Sequence, residues 1–249
     1  MQLLEAQSLT KIFSDGTTAL RSVDFSITAG ELIILAGTNG SGKTVLAKHC
    51  NGLIEPTSGR ILWRGRPVSE QLPMVRSQVG FVFQDSDNQI VGQTVAADVA
   101  FGPRNLGLSP DEVAQRVQTA LAAVEMIQWG DQLPYHLSGG LKRKLAIAGV
   151  LAMNPVMIIL DEPFTGLDYP GVTQVLRGII DLHRRGHTIL IITHELEKVL
   201  AHATRLIIME GGAIVADGLP RETVGLARQY GLRAGNGKAP QVETMTWLE

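Results

Sequence analysis

The sequence predicts an α/β fold: a largely parallel sheet with helices packed on it, an antiparallel β part near the N-terminus, and an inserted all-helical subdomain. Three observations predict it. From residue 156 onward short apolar runs alternate with helical ones, as VMIILDE, PGVTQVLRGIIDLHRRG, HTILIITH and ELEKVLAHA, which is the pattern of strands joined by crossover helices. Residues 31–36, ELIILA, run into GTNGSGKT at 37–44 and then into VLAKHCNGL. That is strand, glycine loop, helix, the setting in which G-x-x-x-x-G-K-[ST] binds phosphates. Finally, no strand-like run occurs between Gln84 and Val156, so about 70 residues read as helix inserted between two core strands.

Composition narrows the possibilities. The chain has 249 residues, 45% of them hydrophobic, enough for one generous domain or a core with a subdomain. Lys and Arg number 22 against 24 Asp and Glu, a formal net charge of −2, which lacks the basic footprint of a nucleic-acid-binding domain. Cys50 is the single cysteine, so there is no disulfide frame and no cysteine-rich zinc site; it reads as a small buried hydrophobe. The N-terminal MQLLEAQSLTKIF alternates like a strand and has no cationic start, unlike a signal peptide. The longest apolar stretches are too short to span a bilayer, so any service to a membrane goes through a partner.

Taken in order, LLEAQSLTKIF, ALRSVDFSIT and ELIILA read as three strands, the first two linked by the turn sequence SDGT. After the glycine loop and its helix, PTSG marks a turn, RILWRG a short strand, and QVGFVFQ an apolar strand ending at Gln84. Ser109, Pro110 and Glu112 together signal a helix start, and Val113, Val117, Ala120, Leu121 and Val124 continue at helical spacing. After the β/α alternation, TRLIIME and AIVADG form a strand pair across Gly211 and Gly212. The boundaries are a core at 1–84 and 156–220, a helical subdomain at 85–155 and a tail at 221–249, in which AGNGKAP reads as a surface loop or linker.

The chemistry sits at a few points. Gly37, Gly40 and Gly42 let the backbone curl around Thr38, Asn39 and Ser41, turning successive N–H groups toward a polyphosphate. The following helix N-terminus adds its positive end. Lys43 brings a full positive charge to the outer phosphates, and Thr44 a hydroxyl to Mg²⁺. At the end of VMIILDEP, Asp161 is placed to hold Mg²⁺ and Glu162 to act as general base on water, at the strand end where ligands bind in open α/β sheets. Leu137, Ser138, Gly139 and Gly140, LSGG, open another helix. Taken alone they read as a helix cap.

In order, the phosphate loop, Gln84, LSGG, VMIILDEP, Gly166-Leu167-Asp168 and His194 resemble the ATPase domain of ABC (ATP-binding cassette) transporters over nearly the whole chain. The resemblance implies a P-loop NTPase core. It also implies that Phe13 stacks on adenine, that Gln84 links Mg²⁺ and the attacking water to a membrane partner, that Asp168 lies in a loop crossing a dimer, and that His194 contacts the γ-phosphate. It further implies a head-to-tail dimer in which LSGG of one subunit closes over ATP held by the other. Leu141 stands where the family usually has glutamine, which removes one side-chain hydrogen bond across that dimer.

The stretch DNQIVGQTVAADVAFGPRNLGLS at 87–109 is similar to ATPases of energy-coupling-factor importers, including the cobalt and nickel systems. That resemblance implies a subunit on the cytoplasmic face of the membrane, with a transmembrane coupling protein, a substrate-capture membrane protein, and either itself or a paralogous ATPase as dimer partner. Vitamin uptake, biotin for instance, is the near alternative, and an ordinary binding-protein-dependent importer a further one. A soluble ABC ATPase acting on nucleic acid is the rival from another class, disfavoured by the near-neutral charge. Asp85, Asp87 and Asp98 suggest an acidic docking groove, with Asp98 at its centre.

Overall fold

The computed structural model of the chain describes residues 1–233 and 241–248; the AGNGKAP stretch lies outside them. Two sheets form the scaffold. The antiparallel one joins β1 (Gln2–Ile12), β2 (Thr18–Thr28), β4 (Ser58–Trp63) and β5 (Arg66–Pro67) in the order β2-β1-β4-β5. The central one joins β3 (Leu32–Ala36), β6 (Val79–Val82), β7 (Met157–Asp161), β8 (Thr188–Ile192), β9 (Arg205–Glu210) and β10 (Ala213–Gly218) in the order β10-β9-β3-β8-β7-β6. All its neighbours are parallel except β10, which returns antiparallel on β9.

The central strands read as unbroken apolar runs because both faces are covered. Leu32, Ile34 and Ala36 of β3 enter one core with Ile158, Leu160, Ile189 and Ile191. The intervening Ile33 and Leu35 enter a second core with Met157, Ile159, Leu190 and Ile192. The two-residue period of a strand thus divides each one between two cores. The second core is closed by the antiparallel sheet and by α1 (Lys43–Cys50), and Cys50 lies in it fully buried, its thiol pushed up to about 12 by burial.

The first core is closed by α6 (Tyr169–Arg184) and by the helices between β6 and β7: α3 (Val95–Asn105), α4 (Pro110–Ala123) and α5 (Gly139–Ala152). Ser109 caps α4 with Glu112 in a reciprocal capping box, as the sequence signals. A short α2 (Leu72–Gln78), with Pro73 in its first turn, precedes β6 and has no counterpart among the elements expected from the sequence.

Two further expectations are corrected. ELEKVLAHA is not an α-helix but two 3-10 turns, Leu196–Lys198 and Leu200–His202. Leu196, Val199 and Leu200 are all fully buried, and the N–H of Ala201 leaves the local ladder to donate to the Met245 carbonyl at 3.0 Å. Tertiary contacts therefore take over a segment whose propensity alone favours helix. The tail also has more order than its composition suggests: α7 (Pro220–Thr223) and the 3-10 segments Val224–Tyr230 and Val242–Thr244 bury Val224, Ala227 and Val242 in the first core, and Met245 just after them joins it.

Candidate functional site

Three strand ends are flush at one edge of the central sheet. Leu35 of β3 and Asp161 of β7 both lie in register with Ile192 of β8. The chain just beyond is stitched across: Thr193 N donates to the Leu35 carbonyl at 3.2 Å and Glu162 N to the Ile192 carbonyl at 2.9 Å. The glycine loop, Glu162 and His194 leave the sheet side by side for that reason.

The loop needs its glycines. Gly42 has φ of 100°, and a Cβ there would press on the Ala19 carbonyl; at Gly37 a Cβ would collide with the Met209 carbonyl and the Ser41 hydroxyl. Ser41 is buried under the loop, while Thr38, Asn39 and Gly40 form its exposed rim. The Lys43 ammonium donates to the carbonyls of Gly37 at 2.8 Å and Thr38 at 2.9 Å, bridging the loop. Burial lowers its pKa, and the charges of Glu162 and Asp161 pull it partly back. No acidic residue lies in the first turn of α1, so the positive end of the helix is not offset there.

Thr44 Oγ1 donates to Asp161, 2.9 Å from Oδ2 and 3.2 Å from Oδ1. Asp161 is 3% exposed, and desolvation raises its pKa against the Thr44 hydrogen bond. A hydroxyl and a buried carboxylate side by side suit a hard divalent cation, whose charge would offset that desolvation. Among the described residues no cluster of three or more His, Cys, Asp or Glu could hold a metal. The pair therefore fits a Mg²⁺ that keeps water and phosphate among its ligands rather than one enclosed by protein.

Glu162 has φ of 47°, a left-handed backbone rare for a residue with a side chain. Such outliers persist where the surroundings impose them, and they gather at functional sites. Its Oε1 lies 2.8 Å from Nδ1 of half-exposed His194. Its Oε2 is buried with no protein partner, which leaves an acceptor for an external donor. Gln84 is exposed just past β6 and is held by its backbone: Arg143 of α5, itself 5% exposed, donates to the carbonyls of Phe83 and Gln84, each at 2.7 Å. Sequence reasoning passes over Arg143, whose only signal is a basic residue in LKRK behind LSGG.

The LSGG segment lies apart from the glycine loop. Ser138 caps α5, its hydroxyl accepting from Leu141 N at 3.4 Å, and Asp168 caps α6, accepting from Gly171 N at 2.9 Å. Both line one cavity of about 410 Å³ together with Gly139, Gly140 and Gly166, and no residue of the glycine loop is among its lining. Leu137 is 6% exposed and packed in the first core, so its side chain anchors the LSGG segment. Leu141 is half-buried against the same core, which gives the leucine a packing role of its own. Phe13 is 40% exposed, with the Lys11 ammonium 5.6 Å from its ring centroid; it is no core aromatic and presents a face for stacking.

The three aspartates of the expected acidic groove are each held locally. Asp98 is 8% exposed, and its Oδ1 accepts from the backbone N–H groups of Val91 at 2.7 Å and Gly92 at 2.8 Å. Asp87 pairs with Lys142 at 2.7 Å, and Asp85 accepts from Asp87 N and from Asn88 Nδ2. All three carboxylates serve the local fold. Asp98 also lines a groove with Arg76 and Gln89, whose walls are otherwise mostly apolar, among them Leu53, Phe81, Phe83, Phe101 and Met153.

Comparison with known proteins gives the family. The family model described as ABC transporter matches residues 20–165. An energy-coupling factor transporter ATP-binding protein of Methanocaldococcus jannaschii is 42% identical over 245 residues, covering 97% of this chain and 87% of that protein. The structure of CbiO1 from Clostridium perfringens, described as part of the ABC transporter complex CbiONQ, superposes with a TM-score of 0.82 at 37% identity, covering 89% of this chain and 90% of that one. A dimeric ATP-binding cassette in a post-hydrolysis state, bound to ADP and Pi, gives a TM-score of 0.79 at 27% identity, covering 88% of this chain and 99% of that one.

Proposed function

The chain belongs to the ABC transporter ATPases, in the energy-coupling-factor group, and from that premise we propose that it powers an importer of cobalt or nickel ions as one half of a homodimer. The observation that carries the hydrolytic part is Glu162, with one oxygen fixed by His194 and the other buried without a partner. In this reading the loop N–H groups and Lys43 hold the phosphates of ATP. Thr44, Asp161 and Gln84 hold Mg²⁺, which neutralises charge on the phosphates when bound. Glu162 accepts the proton of the attacking water at Oε2, and His194 keeps the carboxylate aimed while its exposed ring edge faces the γ-phosphate. Phe13 stacks on the adenine.

The dimer rests on the separation of the two anion sites. The start of α5 shares no cavity with the glycine loop of its own chain, so its N–H groups and the Ser138 hydroxyl serve ATP held by a second subunit, beside the Asp168 loop. The membrane side rests on two features. Among the described residues no helix is long and apolar enough to cross a membrane, and a mostly apolar groove opens beside Gln84 between core and helical subdomain. A transmembrane coupling protein docks there, a substrate-capture membrane protein completes the complex, and the ATPase sits at the cytoplasmic face. The metal substrate is favoured by the likeness to CbiO1.

Uptake of radiolabelled cobalt in cells expressing the complete importer tests the reading. Replacing the wild-type chain with Glu162→Gln abolishes cobalt uptake and leaves biotin uptake untouched. Loss of biotin uptake with cobalt uptake intact assigns the vitamin role instead.

A further inference from the structure

The segment at 241–248 lies across two loops that flank the hydrolytic pair. On one side it grips the turns after His194. The Met245 carbonyl accepts from Ala201 N at 3.0 Å, Trp247 N donates to the Lys198 carbonyl at 3.2 Å, and Thr246 Oγ1 lies 2.8 Å from His202 Nε2. On the other side it meets Tyr169, the residue after Asp168. The Tyr169 hydroxyl donates to the Trp247 carbonyl at 3.2 Å, and the two rings lie 5.4 Å apart.

Between these contacts runs a chain of charges. The Lys198 ammonium lies 4.5 Å from the Trp247 ring centroid and 2.6 Å from Glu195 Oε1. Lys198 is 6% exposed, so its charge needs partners close by. Glu195 supplies the counter-charge; the indole face supplies cation–π attraction. Glu195 is joined directly to His194, whose Nδ1 lies 2.8 Å from Glu162. Trp247 therefore fixes Lys198, Lys198 fixes Glu195, and the backbone at Glu195 sets where the His194 ring can reach.

We propose that residues 245–248 are a strap that positions His194 against Glu162 and ties both to the Asp168 loop, so that ATP turnover depends on Trp247 although the indole stands outside the phosphate site. The inference rests on the roles given above to Glu162 and His194. Trp247, Lys198 and Tyr169 are positioning residues: they act on the rate through the placement of His194 and touch no nucleotide themselves. Displacement of a reacting group by an ångström costs up to about 10²-fold in rate.

Steady-state ATP hydrolysis, nucleotide affinity and thermal midpoint, measured on the full chain, test the strap. Trp247→Ala is expected to lower kcat by about tenfold with KM for ATP held within about twofold. Trp247→Phe, which keeps an aromatic face over Lys198, restores most of the rate. Tyr169→Phe removes one hydroxyl at a half-exposed position, without threat to folding, and lowers kcat by about two- to threefold at unchanged KM. Wild-type kcat in Trp247→Ala or in Tyr169→Phe overturns the proposal. So does a joint fall of kcat, affinity and thermal midpoint that phenylalanine does not rescue, since that marks a purely structural role. Glu162→Gln, run alongside, separates the two readings. Near-normal turnover there sinks the assignment of the site itself, whereas lost turnover there with an indifferent Trp247 sinks the strap alone.

Discussion

Glu162 and His194 meet at 2.8 Å across the ends of β7 and β8, and this contact takes up one carboxylate oxygen while the other stays buried without a protein partner. In the proposed reading a carboxylate held in that way is aimed for proton transfer. Glu162→Gln keeps the shape and a hydrogen bond to His194 and removes the basicity. Turnover is expected to fall by roughly 10²–10⁴-fold, with ATP affinity retained and the dimer accumulating in its closed, ATP-bound form. Single-turnover hydrolysis and sizing with ATP read both effects, and near-normal turnover contradicts the role.

Lys43 gives the complementary result. Its ammonium bridges the Gly37 and Thr38 carbonyls within the loop, and in the proposed reading its charge serves the outer phosphates. Lys43→Ala removes a charge-assisted hydrogen bond, worth about 1.5–3 kcal/mol. ATP affinity is expected to fall by roughly 10- to 100-fold, in contrast to Glu162→Gln. Equal affinity by isothermal titration excludes a phosphate contact for Lys43.

The parts legible in the sequence are those fixed by local pattern. ELIILA and VMIIL announce strands buried on two faces, and the loop between Gly37 and Thr44 carries its geometry in its glycines. Asp161 and Glu162 are visible because a strand end fixes where they emerge. Contacts between distant segments leave no such trace. Arg143 reaches Gln84 across 59 positions, and Trp247 meets Tyr169 across 78. The same cause explains the turns at Leu196–Lys198 and Leu200–His202: their apolar spacing suits a helix, but a backbone donor at Ala201 is claimed by Met245. Asp98 shows a related limit. Among apolar neighbours a carboxylate suggests a covered interface, while here it is covered by its own loop.

That burial gives a test. Asp98 Oδ1 takes two backbone N–H groups, and Gly92 packs so closely on Asp98 that a Cβ there would strike its backbone. Asp98→Ala leaves both donors short of a partner and is expected to lower stability by about 1–3 kcal/mol. Chemical denaturation of the isolated protein shows this as a lower midpoint at unchanged slope. Wild-type stability together with lost assembly on the membrane partner restores a docking role for the carboxylate.

The strap has a pH dependence of its own through His202. Burial lowers the pKa of this imidazole from its ordinary value of 6.5, and the Arg184 guanidinium adds to the shift. His202 Nε2 lies 2.8 Å from Thr246 Oγ1, which also accepts from Leu248 N at 3.0 Å. The folded state thus binds a proton at His202 less readily than the unfolded chain. By linkage the stability from this group is fully present above the unfolded value and is lost as pH falls through the folded one. The thermal midpoint of the wild-type protein is expected to decline from about pH 6.5 downward more steeply than that of His202→Gln. Quenching of Trp247 fluorescence should follow the same titration, because Trp247 is the next residue after Thr246. Parallel midpoint curves for the two proteins rule out a titrating His202 under the strap.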